Sequence, residues 1–350
     1  MGTSAALALG LAVTLSDAGP LVSGSNLESA APPLPLHLRD TGIYVAGSTT
    51  EIHPDNLAYS PQYPLWSDGA KKRRWLHVPA GRAIDASHPD AWEFPPGTRL
   101  WKEFSHGRPV ETRYIERLAD GTWRFATYVW NEAGTDAILA PAEGVAALAV
   151  STAPSGRYAI PARDDCLACH EGAAVPVLGV SALQLSPDRD PLAPHAEPVT
   201  AEQVDLRDLA ARGWLRNLPA AYLSDPPRVA ADTPTARAAL GYLHGNCGHC
   251  HNEVGSLASL GLSLAQNGRA DASHSVTTLL AQTTRFRSHG LDRRIVPGRS
   301  DTSVLAVRMR SRDPLKQMPP IGTQILDAEA YALIARWIDQ ELPSQQESMP

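Results

Sequence analysis

Every cysteine of this 350-residue chain falls in one of two pentapeptides, Cys166-Leu-Ala-Cys169-His170 and Cys247-Gly-His-Cys250-His251. In that pattern the two thiols add to the vinyl groups of a haem to give thioethers, and the histidine directly after them reaches the iron from one face. The spacing predicts two covalently bound haem c groups, one on Cys166, Cys169 and His170, the other on Cys247, Cys250 and His251, with His170 and His251 as iron ligands. Two other chemistries fit less well. Zinc would join the two Cys-x-x-Cys units as four thiolates, which leaves the histidine after each unexplained. A disulfide between cysteines this close on a helical turn would be strained.

The chain is long enough for two or three domains with cores of their own. Its 43% hydrophobic and 19% charged residues are those of a soluble globular protein. The net charge of −6, with both signs interspersed, offers no basic patch for nucleic acid or for an anionic membrane. Prolines cluster at 31–35 and 191–194, which predicts long irregular connections. The small-residue apolar run from Ser4 to Leu15 is too short to span a bilayer and has the length of a signal-peptide core, although no Lys or Arg precedes it. An export signal is expected at 1–24 and a loose leader at 25–37. The implied address is the periplasm, and no other stretch approaches the length of a membrane span.

Residues 38–160 read as β-structure. Leu100–Phe104, Thr112–Leu118 and Trp123–Trp130 alternate large apolar or β-branched residues with polar ones, the period of a half-buried strand. Ala119-Asp-Gly-Thr122 is a tight hairpin turn between the last two, with Gly121 free to take positive φ. Helical spacing takes over later, at 200–212, at 234–246 behind Thr233-Pro234, and at 327–339, where Asp327 caps a helix with Tyr331, Ile334, Ala335, Trp337 and Ile338 on one apolar face. A first haem segment at 161–232, a second at 233–342 and a tail at 343–350 complete the expected organisation.

Ala239, Leu243 and Cys247 lie four apart, so one helical stripe runs into the second pentapeptide. Downstream, Gln317-Met-Pro-Pro-Ile-Gly-Thr323 sets Met318 in a proline-stiffened loop ahead of the last helix, where its thioether would reach the iron opposite His251. Met309, on an expected short helix at 302–310, is read as core. His249, between two thioether cysteines, is read as a surface residue.

Gly261–Leu264, Ile295–Asp301, Ser303–Leu305, Arg308-Met309, Asp313-Pro314, Met318–Pro320 and Trp337-Ile338 resemble the class I-like cytochrome c domains in which such a run follows Cys-x-x-Cys-His; the likeness covers about residues 235–340. The stretch from Tyr59 to His170, with Leu65–Asp68, Phe94–Gly97, Glu111–Arg113 and Tyr128–Glu132, is similar to a family of bacterial dihaem c-type cytochromes that join a β-domain to two haem motifs. The resemblance implies an α+β multidomain chain: an N-terminal antiparallel β-sandwich-like domain, then a mainly α-helical cytochrome c region.

The sixth ligand of the first iron stays open. His195, His244, a β-domain histidine such as His77 or His106, Met309, or no residue at all could supply it. The leading expectation is periplasmic electron transfer between redox partner proteins, because His/Met-ligated iron is six-coordinate and cycles without binding substrate. The alternative is a dihaem peroxidase-like or oxygenase-like enzyme with an open first haem. A third reading makes the β-domain a binding module with Trp66, Trp75 and Trp92 as an aromatic surface. Trp101, Trp123, Tyr128 and Trp130, alternating along strands, are read as sheet core.

Overall fold

The computed structural model describes Met1 and residues 32–268, 273–280, 282–288 and 290–342. The expected export signal, most of the leader and the 343–350 tail lie outside the described residues.

The β-region runs through β1 (Leu57–Ala58), β2 (Lys71–His77), β3 (Ile84–Asp85), β4 (Arg99–Ser105), β5 (Pro109–Arg117), β6 (Trp123–Trp130), β7 (Ala137–Leu139), β8 (Val145–Ala149) and β9 (Arg157–Ile160). Six of these strands form an antiparallel sheet in the order β1-β2-β4-β5-β6-β7. The turn between β5 and β6 closes as its sequence requires: Gly121 has φ 85°, Leu118 N–H donates to the Thr122 carbonyl, and the Asp120 carboxylate accepts from Thr122 N–H.

Alternation builds a core on each face of this sheet. Trp75, Trp101, Tyr114, Ala126 and Tyr128 point one way, into a cluster closed by Leu38, Ile43 and Tyr44. Leu76, Leu100 and Ile115 point the other way and meet Val177, Val180, Leu185, Leu206 and Leu209. In place of two large packed sheets there is a single six-stranded one, and the chain beyond Pro161 covers its second face. The β8-β9 ribbon is a separate pair with its own small core of Val110, Val150, Tyr158 and Ile160. The expected aromatic surface does not form, because Trp75 and Trp92 are buried at 5% and 0% exposure.

The later elements are α1 (Arg163–His170), α2 (Leu206–Ala211), β10 (Leu215–Arg216), α3 (Ala221–Ser224), α4 (Pro234–Cys247), α5 (Ser273–Leu279), β11 (Thr283–Ser288), β12 (Leu291–Arg293), α6 (Val304–Arg310) and α7 (Ala328–Arg336). Strand β10 pairs in parallel with β3, and β11 pairs with β12. A mixed α+β architecture results. Helices hold only 23% of the described residues, so the expectation of a mainly helical C-terminal region is corrected. The reason is local: α5, α6 and α7 are short, and prolines and glycines fill the connections between them.

Two helix ends follow their sequence signals. Thr233 caps α4 by accepting from Ala236 N–H, ahead of Pro234 in the first turn. Asp327 caps α7 by accepting from Ala330 N–H. These two helices share one core, in which Ala239, Leu240 and Leu243 meet Leu333, Ile334, Trp337 and Ile338. Met309 is buried in the same cluster at 7% exposure. The described residues from Leu34 onward form one compact unit.

Candidate functional site

Helix α1 brings Cys166, Cys169 and His170 to the second face of the sheet, where the His170 ring lies 5.0 Å from that of Phe125 on β6. Its Nδ1 sits 2.5 Å from the Pro176 carbonyl, so this nitrogen carries the proton and Nε2 is left free as a ligand. Burial lowers the His170 pKa to about 4, with the nearby Lys102 and Arg113 charges adding to the effect. The ring is therefore neutral near pH 7, the state a metal needs.

The second pentapeptide begins at the last residue of α4. Burial pushes the Cys247 thiol up to about 12 and lowers the pKa of His251, whose Nδ1 is buried without a partner. A buried polar atom left unmade costs about 1–3 kcal/mol, and an orphan here marks a histidine whose surroundings are incomplete in the protein alone.

Although far apart in sequence, the two pentapeptides abut. Asn252 Nδ2 donates to the carbonyls of Gly172, Gly248 and His249 at 2.8, 3.0 and 3.1 Å, tying the end of one motif to the other. The absence of side chains at Gly172 and Gly255 permits this approach, since a Cβ on Gly172 would lie 2.9 Å from the His249 carbonyl and one on Gly255 would collide with the carbonyl of Gly172. The ligand atoms of Cys169, His249 and Cys250 all lie within 4.8 Å of one another. Cys169 is pushed up to about 12, first by its hydrogen bond with Cys250 and then by burial, while that same bond lowers Cys250. His249 is half-buried against the first motif, which corrects its reading as a surface residue. The four sulfurs do not gather: among the described residues Cys166 and Cys247 join no metal-ligand cluster.

A cavity of about 1300 Å³ opens beside this junction, above the ~300–1,000 Å³ of an ordinary small-ligand pocket. Cys166, Cys169, His170, Cys247, Cys250, His251 and Met318 all line it. The Met318 loop is held to α6 by Met318 N–H donating to the Arg308 carbonyl and Arg308 Nε donating to the Lys316 carbonyl. Met309 reaches the same cavity from the core side. One cavity thus gathers four thiols, two imidazoles and the Met318 thioether in its lining, a donor set that fits large apolar groups carrying a metal.

Among the described residues the histidines lining this cavity are His106, His170, His249 and His251. His195 does not line it but packs behind its wall, with Nε2 2.9 Å from the Asp327 carboxylate and its ring tilted against Trp66 at 4.5 Å, both of which do line it. His244 accepts from Gln266 N–H through Nδ1 at 3.0 Å. His106 is 8% exposed and its Nε2 is buried without a partner.

Three features of the site carry no local sequence signal. One is the Asn252 clamp. Another is Asp327, which besides capping α7 accepts from Tyr242 OH at 3.0 Å on α4. The third is the row of basic side chains on the sheet face over the first motif. No helix among the described residues is long and apolar enough to cross a membrane. Compared with protein-family models, with curated proteins and with solved structures, the chain finds no match.

Proposed function

We propose that the chain is a dihaem c-type cytochrome of the kind its motifs resemble, exported to the periplasm, that carries electrons between donor and acceptor proteins. One observation carries the reading: a single cavity is lined by all six residues of the two Cys-x-x-Cys-His attachment sets and by Met318. Cys166 and Cys169 would hold one haem with His170 as an iron ligand, and Cys247 and Cys250 the other with His251. A bound haem supplies one-electron exchange between ferrous and ferric iron. The chain's own part is to hold the imidazoles neutral, to fix the His170 ring through Pro176, and to offer Met318 from the wall of the same cavity as a second donor for the His251 iron. A methionine ligand raises the potential and closes the iron to substrate, which suits a carrier.

A second reading, a peroxidase-like or oxygenase-like enzyme with an open first iron, is favoured by one specific observation: His195 and His244 are both engaged by other partners. The two readings differ in ligation.

The test is protein produced with a cytochrome c assembly system. Its mass should exceed that of the polypeptide by two haems that resist acid-acetone extraction, and replacing Cys166 and Cys169 should remove one of them. Bound zinc in place of haem, held by Cys169, His249 and Cys250, refutes the proposal. Low-temperature EPR of the oxidised protein should show two low-spin irons. A high-spin signal with cyanide binding at one iron per chain replaces the carrier by the enzyme.

A further inference from the structure

The six-stranded sheet sets three cations side by side. Arg74 on β2 is the cross-strand partner of Lys102 on β4, which is in turn the partner of Arg113 on β5. Like charges directly opposite each other destabilise a sheet, and this row faces the cavity, which all three residues line.

The outer two cations are neutralised within the protein. Arg74 is 4% exposed and holds Glu197 at 2.6 Å, and Arg113 holds Glu111, itself fully buried, at 2.7 Å. Tyr158 OH donates to the same Glu111 oxygen at 2.7 Å, which fixes that pair in place. Lys102 in the centre is different. Its Nζ lies 5.0 Å from the centre of the Phe104 ring, and among the described residues it makes no ion pair. Burial, then the neighbouring charges of Arg74, Lys72 and Arg113, lower its pKa well below the usual lysine value. Arg74 and Arg113 are matched by Glu197 and Glu111, so within this row of the cavity wall a protonated Lys102 has no counter-ion of its own, and its ammonium form is disfavoured in the protein alone. The same wall belongs to the first motif, since the charges of Lys102 and Arg113 act on His170 and that of Arg113 on Cys166.

We propose that Lys102, flanked by Arg74 and Arg113, is a buried carboxylate seat, and that its occupant is a propionate of the haem attached at Cys166 and Cys169. The inference rests on the haem reading given above. A propionate supplies the counter-ion that Lys102 lacks, which favours its ammonium form, and accepts a hydrogen bond from it, a charge-assisted bond stronger than a neutral one. It also sets the redox behaviour of that haem: a cation close to the macrocycle disfavours the extra positive charge of ferric iron, so the Lys102 ammonium raises the midpoint potential of the first haem. A free carboxylate from solution would satisfy the same charge, and acetate is the probe that separates the two sources.

The experiment uses the matured holoprotein, its Lys102→Gln and Lys102→Arg variants, and Lys102→Met should the first not accumulate. All should carry two haems by mass. In Lys102→Gln one midpoint should fall, and it should be the midpoint that Met318→Ala leaves in place; Lys102→Arg should restore most of it. Acetate should leave the ferric spectrum of the wild type unchanged. Two haems with both midpoints unmoved in Lys102→Gln overturn the carboxylate seat and leave the haem reading standing. A saturable acetate response in the wild type that Lys102→Gln abolishes also overturns it, in favour of a site for a free carboxylate. Wild-type protein without haem overturns the seat together with the reading beneath it, and its mass alone distinguishes that case.

Discussion

Replacing Gly241 by alanine should destabilise the protein, against the ordinary preference of a helix. Gly241 lies on α4, where exchanging Gly for Ala should gain about 1 kcal/mol from helix propensity. At this position an added Cβ would fall inside the ring of Tyr63, which is 2% exposed and donates its hydroxyl to Asp190 Oδ2 at 3.1 Å. The ring cannot yield freely. Asn246, one turn further on, accepts from Trp66 N–H at 2.7 Å and donates to the Pro64 carbonyl at 3.2 Å, so the segment bearing Tyr63 is fastened to the same helix. Clearing the overlap costs the hydrogen bond to a carboxylate, about 1.5–3 kcal/mol, and the overpacking strain, about 1–3 kcal/mol. Against the gain of ~1 kcal/mol, the net loss should be about 1.5–5 kcal/mol. Urea unfolding followed by far-UV circular dichroism of the holoprotein measures it. Tyr63→Val removes the obstacle, so the double variant should be more stable than the sum of the single losses predicts, with a coupling of about 1–3 kcal/mol. A Gly241→Ala protein as stable as the wild type, or additive losses in the cycle, would refute the packing argument.

Two further outcomes test other parts of the molecule. Met318→Ala should abolish the weak red absorption band of ferric methionine ligation and lower one midpoint potential, whereas Met309→Ala, which empties a buried core position, should cost stability of about 2–5 kcal/mol and leave that band in place. Asp90 has a buried Oδ1 without a partner, and burial raises its pKa from 3.8 to about 6. The folded protein then binds more protons than the unfolded chain between pH 4 and 6, so this group's contribution falls as pH rises through that window and stays unfavourable above it. Asp90→Asn should remove that slope and stabilise the protein at pH 7 by about 1–2 kcal/mol, less than the full ~3 kcal/mol because the carboxyl keeps some access to solvent. An unchanged pH profile of thermal unfolding would sink that assignment.

What could be read from the sequence was what is encoded over a few neighbouring residues. Strands β4, β5 and β6 and the turn at Gly121 announce themselves by alternation and a glycine at the tight position; β4 and β6 lie within a residue of expectation, and β5 starts three residues earlier, at Pro109. The caps at Thr233 and Asp327 are equally local. The extent of helix after Pro161 was not legible, because short apolar stretches there satisfy themselves by packing on the sheet: Val177, Val180, Leu206 and Leu209 cover Leu76 and Leu100. That cover also buries Trp92, whereas Trp75 is buried on the opposite face under Leu38, Ile43 and Tyr44. The pentapeptides were legible as chemistry, while their surroundings were not. Lys102 looks like any polar residue of an alternating strand until strand register puts Arg74 on one side of it and Arg113 on the other.

The apposition of the two motifs bears on how the chain is organised. A sequence with two attachment sites in separate segments suggests two modules, each with its own cofactor and its own wall. The packing argues for one. Cys169 belongs to α1 and Cys250 follows α4, yet their ligand atoms and that of His249 lie within 4.8 Å of one another, and Asn252 hydrogen-bonds to backbone on both sides of the contact. Gly172 and Gly255 lie where any side chain would force the motifs apart. The core repeats the pattern, since Tyr63 from the β-region and Leu183 from the first segment pack with α4 and α7. Groups attached at the two pentapeptides would thus be set by a shared scaffold, and a change of charge at one would be felt at the other across a short, partly buried boundary, where screening is weaker than in open solvent.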